Sequence, residues 1–205
     1  MAEESSQKSF IQTLRQLIRD ARQHAQEKRA QKALETLHQA RQLALAYEDQ
    51  TPDVVEAYAA VAVELAMLHQ QLNDPRGSLN HYMEAESAFR KLPIDEPSQR
   101  VRLQLATCLV NMTGLLARER MIRSGVDKSE EAIQLLLGAT GQPGEASKVL
   151  LVGAYQNKSA LLMEARQPVE AEAALADAVE LGATLVNAGN ADLLPQVVDA
   201  SGRLA

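Results

Sequence analysis

The sequence predicts an all-α chain, on three observations. Apolar residues make up 46% of it, yet aromatics are only 3% and Trp is absent, whereas sandwiches and barrels draw on β-branched and aromatic side chains. Ten glycines and seven prolines in 205 residues are too few for a turn-rich all-β chain. Ala, Leu, Gln, Glu and Arg dominate the remainder, and these favour helix by intrinsic preference.

Apolar residues recur at helical spacing between proline marks. Helices are expected over 8–26, 30–48, 52–71, 75–91, 97–121, 127–138, 144–165, 168–187 and 193–203. Residues 1–7 are polar and read as a flexible N-terminal tail. Thr51-Pro52-Asp53 reads as a hydroxyl N-cap, a first-turn proline and an acid, an arrangement that satisfies a free N–H where proline loses nothing. Asp74-Pro75 repeats it, and Glu96-Pro97-Ser98, Gln142-Pro143-Gly144 and Gln167-Pro168 mark further starts. Pro93 follows a helix end, and Pro195 opens a last short segment. The short linkers make successive helices antiparallel neighbours. None is long enough to separate independent domains, so 8–205 is read as one domain.

Alternate helices carry a small, a large and a small residue at offsets of four and seven. These read as Ala33, Leu37, Ala40; Ser78, Tyr82, Ala85; Ala132, Leu136, Ala139; and Ala171, Leu175, Ala178, with spacings of 45, 54 and 39 residues. Small residues on one face let a neighbouring helix approach closely. The preceding helices correspond as well: Asn111-Met112-Thr113-Gly114-Leu115-Leu116 aligns with Asn157-Lys158-Ser159-Ala160-Leu161-Leu162.

This pattern resembles the tetratricopeptide repeat (TPR) family, over residues 10–187. Ala21, Ala66, Thr113 and Ser159 stand at the family's small site in the first helix of each hairpin, and Leu65-Ala66 with Leu72-Asn73-Asp74 match best. The period is longer than the usual repeat of about 34 residues and looks like the kinesin light chain variety. Pro52, Pro97 and Pro143 lengthen the first helices, and the third repeat is read with an insertion over 120–127. Asp20 and Lys158 stand where the family has an apolar residue. The resemblance implies a right-handed superhelical solenoid of about four antiparallel hairpins, over 10–48, 52–91, 97–139 and 144–187. The helix over 193–203 would cap the last apolar face.

The net charge is −6, and residues 127–205 carry five Lys/Arg against eleven Asp/Glu. An acidic chain without a basic face argues against nucleic acid and anionic membrane as partners. No run reaches the 18 or so apolar residues of a membrane helix, and no N-terminal signal pattern is present. A cytoplasmic setting is the expectation. Cys108, the one cysteine, lies in an apolar stretch and reads as a packing residue. His24 and His69 fall at packing positions of the repeat, and a metal shared by His69 and His81 is the weaker reading beside partly buried histidines. No P-loop, nucleophile elbow or zinc helix motif is present, and Gly138-Ala139-Thr140-Gly141-Gln142-Pro143-Gly144 reads as a turn with a helix-stop glycine. No catalytic residue, cofactor or metal is assigned, and the chain is expected not to be an enzyme.

The function that the resemblance implies is a scaffold for protein–protein interaction, gripping a peptide or protein segment in a groove lined by the first helix of each hairpin. The groove residues carried across are Arg15, Arg19, Arg22 and Gln26; Val63, Met67, Gln70 and Gln71; Asn111, Gly114 and Arg118; and Gln156, Asn157, Met163 and Glu164. Asn111 and Asn157 would bracket an extended backbone, since an amide both donates and accepts, or else bridge neighbouring helices. The arginines form a stripe that would meet an acidic peptide or stay solvated. Ile18 and Arg22 stand where the carboxylate-clamp type has Lys and Asn, which argues against a chaperone-tail adaptor. Two alternatives stand beside this: a self-associating structural protein that forms homo-oligomers, and a ligand-sensing segment of a larger signalling protein.

Overall fold

The computed structural model describes residues 2–93, 99–138 and 144–204. Its elements are helices α1 (Ala2–Gln26), α2 (Ala30–Ala46), α3 (Pro52–Gln71), α4 (Pro75–Phe89), α5 (Gln99–Arg118), α6 (Ile122–Leu137), α7 (Glu145–Glu164) and α8 (Pro168–Asn187). A single 3-10 turn, Ala191–Leu193, and α9 (Leu194–Leu204) follow. No strand occurs among the described residues. The chain divides into two compact units, Met1–Val101 and Arg102–Ala205, where the sequence reading expects one domain.

The proline marks act as predicted where they are described. Pro52, Pro75 and Pro168 each open a helix, where the missing N–H is one that the helix leaves unpaired anyway. The expected starts at Pro97 and Pro143 lie outside the described residues, as does Ala139. Thr51 departs from its assigned part. Its hydroxyl does not cap α3 but accepts from the Gln7 amide of α1. That contact also corrects the reading of residues 1–7 as a tail, because α1 begins at Ala2.

Each hairpin closes on the same turn. Lys28, Asn73, Arg120 and Arg166 adopt φ between 57° and 61°, the left-handed conformation that ends a helix. The residue after each sends its N–H back to a carbonyl in the preceding helix: Arg29 to His24, Asp74 to His69, Met121 to Leu116 and Gln167 to Leu162. Three of the four following helices have no side-chain cap; in α4 the Asp74 carboxylate accepts from the Gly77 N–H at 2.9 Å.

These turns correct the register of the third repeat. α6 starts at Ile122, so most of the expected insertion over 120–127 is helical. Its buried small residues are Gly125, Ser129 and Ala132. Gly125 lies 12 residues after Thr113, as Ala33 does after Ala21, Ser78 after Ala66 and Ala171 after Ser159. The sequence reading is displaced by seven residues, close to two helical turns, which leaves the triplet on the same face. Gly125 explains why the true triplet was hard to see: a Cβ there would lie 2.8 Å from Leu161 of α7. The position demands glycine for close approach, and the large site holds a serine.

In the first unit the core is Leu14, Ile18 and Ala21 of α1, Ala33, Leu37, Ala40 and Ala44 of α2, and Val61, Leu65 and Leu68 of α3. In the second, Leu162 packs with Ala171 and Ala174, while Val152 and Leu185 enclose Leu193. Cys108 is buried, as a packing residue would be. The exceptions to the family pattern are satisfied locally: Asp20 accepts from Gln16 at 2.7 Å, and Lys158 pairs with Glu130 at 3.0 Å.

Candidate peptide-binding site

In the first unit α1 and α3 enclose an open cavity of about 350 Å³. Ala21 and Ala25 of α1 leave the space, because a methyl stands where longer side chains would fill the angle between the helices. Leu37 and Leu68 give the floor its apolar character, Met67 adds a flexible wall, and Arg22, Glu64, Gln26 and Gln71 supply the polar rim. Arg22 and Glu64 are joined across the rim by a two-pronged ion pair. Hydrogen bonding to Glu64 raises the Arg22 pKa above its ordinary value, against the opposing effect of burial. The Arg22 side chain is 61% exposed and that of Glu64 only 13%, so the arginine can swing away while the carboxylate stays in place.

Four predicted groove residues, Arg22, Gln26, Met67 and Gln71, thus come together on one cavity. Arg15 and Arg19 lie further along α1, both exposed, on a shallow surface with Gln12 and Gln16. Val63 is half-buried and Gln70 exposed, and neither lines the cavity. Ala25 and Glu64 were missed, though both stand at groove positions of the repeat. An alanine and an acid drew no attention beside amides and arginines.

In the second unit the predicted residues stand apart from any such cavity. Asn157 of α7 donates its amide to the Val110 carbonyl at 3.2 Å and the Thr113 hydroxyl at 2.7 Å, both on α5. That is the helix-bridging alternative, and it occupies the amide N–H donor on which an Asn ladder would draw. Asn111 and Gln156 are half-buried, while Gly114, Arg118, Met163 and Glu164 are exposed. Space beside Gly114 is open, with no atom within 4 Å of where a Cβ would sit.

Behind the first cavity, on α2, α3 and α4, lies a polar cluster that the sequence reading did not assemble. Arg41 of α2 grips Glu84 of α4 through two bonds of 2.9 Å, and Tyr58 of α3 donates to the same carboxylate at 3.2 Å. Burial would raise the Glu84 pKa, but the hydrogen bonds and charge of Arg41 hold it below the usual carboxylate range. Burial, and then Glu84, push the Tyr58 phenol up. His69 bonds Asp74 at 2.9 Å, and its ring centroid lies 5.1 Å from that of His81, which in turn is 6.1 Å from that of His38. The Gly77 N–H, and then His69, hold the Asp74 carboxyl down. Among the described residues no three His, Cys, Asp or Glu side chains are placed to hold a metal ion. Nor is any described helix long and apolar enough to cross a membrane.

No protein-family model matches the chain, and no curated protein matches it in sequence. Solved structures do. The crystal structure of TPR-like repeats of a kinesin light chain from Podospora anserina matches 94% of this chain and 97% of its own, at TM-score 0.58 and 15% identity. The fold is TPR-like. BtubC (BKLC) from P. vanneervenii shares it over 100% of this chain and 91% of its own, with TM-score 0.63 and 16% identity. The pilF protein of Pseudomonas aeruginosa shares it over 96% and 78%, with TM-score 0.55 and 15% identity. TPR-like repeats are in general interaction scaffolds and typically not enzymes.

Proposed function

We propose that this TPR-like chain is a non-enzymatic protein-interaction scaffold whose first unit binds an extended peptide across α1 and α3. The observation that carries this reading is the cavity with an apolar floor and an amide-and-charge rim, lined by Arg22, Gln26, Met67 and Gln71. An apolar side chain of the peptide fills the space above Leu37 and Leu68. The Gln26 and Gln71 amides hold its backbone, since each offers both a donor and an acceptor. Arg22 turns from Glu64 to an acidic group on the ligand, and Arg19 and Arg15 extend the same preference along α1. Met67 adapts to the shape of the inserted side chain. The second unit, its Asn157 committed within the fold, supplies no comparable grip.

The test is a peptide library displayed on phage and selected on the full chain, followed by affinity measurement on the enriched peptides. Enrichment of peptides with an apolar residue next to an acid, bound at least tenfold more weakly by Met67→Glu, supports the reading. Peptides that bind Met67→Glu and wild type alike, or no enrichment at all, overturn it.

A further inference from the structure

We propose that His38, His69 and His81 form an acid-sensitive lock on α2, α3 and α4, and that their protonation loosens the packing of the first unit. The three imidazoles come from three helices and meet at one place, with ring centroids 5.1 Å and 6.1 Å apart. His69 Nε2 and His81 Nδ1 are buried without a hydrogen-bond partner. A proton arriving on either nitrogen finds no ready acceptor inside the cluster. The nearest to hand, Glu84 Oε2, is 3.5 Å from His81 Nδ1.

The surrounding charges decide the sign. From α2 the cluster is faced by Arg41, from α3 by Tyr58, from the following turn by Asp74, and from α4 by Glu84. Both carboxylates are already engaged. Asp74 holds the Gly77 N–H and His69, and Glu84 holds Arg41 and the Tyr58 hydroxyl. With neutral rings, one cation faces two carboxylates; with three protons added, four cations do. Burial lowers the pKa of His38 and of His81; the charges of His69 and Arg41 lower both further, and Glu84 opposes the fall. Folded-state values below the unfolded value of about 6.5 mean that the unfolded chain binds more protons in acid. The stabilisation is therefore complete above that pH and is lost as pH falls through it. The rings cannot simply move away: a Cβ on Gly77 would lie 2.5 Å from His69 Nδ1, so the turn is already in close contact with that ring.

All four histidines lie in the first unit, which leaves the second as an internal control. Leu37 and Leu68, which floor the cavity, adjoin His38 and His69 in the chain. A loosened α2 and α3 carry that floor with them, although the lock itself does not depend on any ligand.

The test is hydrogen exchange of the full chain at pH 7.5, 6.5 and 5.5, corrected for intrinsic exchange and with a chelator present. Protection of α2, α3 and α4 amides is expected to fall by about tenfold or more between the extremes, the order of one linked proton, while the second unit holds. The double variant His38→Gln/His81→Gln should lose that response, and His24→Gln should keep it. Equal loss in both units, an unchanged response in the double variant, or no loss in the wild type overturns the proposal. If the double variant unfolds at pH 7.5, proton NMR titration of the wild-type imidazoles decides. Titration of His38 and His81 below the ordinary value supports the lock, and titration at or above it sinks the idea.

Discussion

The two units close their hairpin-to-hairpin seams by opposite means. In the first, charges bridge both sides: Arg22 to Glu64 from α1 to α3, and Arg41 to Glu84 from α2 to α4. In the second, the neutral amide of Asn157 ties α7 to α5, and Gly125 lets Leu161 of α7 lie against α6. The lesson is about what each seam can tolerate. A charged seam is cheap to open at its exposed end, because surface ion pairs contribute little. A neutral, dry seam is costly to open, because every polar atom left behind is unpaired. The candidate binding cavity sits on the first kind.

The sharpest way to break the contrast is to empty each seam of its apolar filler. Leu65→Ala in the first unit and Leu161→Ala in the second each remove a buried side chain and should cost about 2–5 kcal/mol, read by urea unfolding. If the units unfold independently, each variant splits the transition and lowers only one part of it. A single shared transition would show that they unfold together.

Next in size is Asn157→Leu. It leaves the Val110 carbonyl and the Thr113 hydroxyl without their shared donor, at a cost of about 1–3 kcal/mol that does not change between low and high salt. The charged seam should behave otherwise. Arg22→Ala is expected to cost under about 1 kcal/mol, and the difference from wild type should shrink in 1 M salt, where charges are screened within about 3 Å. A loss that persists in salt would mean that Arg22 acts through its aliphatic stem. Smallest are the turns. Lys28→Gly, Arg120→Gly and Arg166→Gly each relieve a left-handed backbone and should gain up to about 1 kcal/mol in either unit.

Much of this architecture was legible in the sequence, for physical reasons. Pro52, Pro75 and Pro168 could only start helices, and the spacing of small residues disclosed the hairpins. The third repeat was misread because a seven-residue slip costs nothing in helical phase, and because Gly125 and Ser129 are a poor likeness of small-large-small. Thr51 was misread because a hydroxyl beside a helix start has the same sequence signature whether it caps or accepts from a distant Gln7. In the site, charge and amide content pointed to Arg22, Gln26, Met67 and Gln71, whereas the cavity also owes its existence to Ala21 and Ala25, where the signal is the absence of bulk. The histidine cluster was invisible because His38, His69 and His81 lie on three helices, and no local spacing relates them.

The repeated turn has a consequence for anyone who alters this protein. Within a hairpin the count from the small residue of one helix to that of the next is 12 residues every time, and the left-handed residue always falls at the same step. Between hairpins the connecting stretches differ: residues 47–51, 90–98 and 138–144. All tolerance of length is thus concentrated in alternate connections. A reporter, a cleavage site or a grafted sequence belongs in those three stretches, where added chain carries only a slowly growing entropy. The same insertion one helix away would put the two halves of a hairpin out of step.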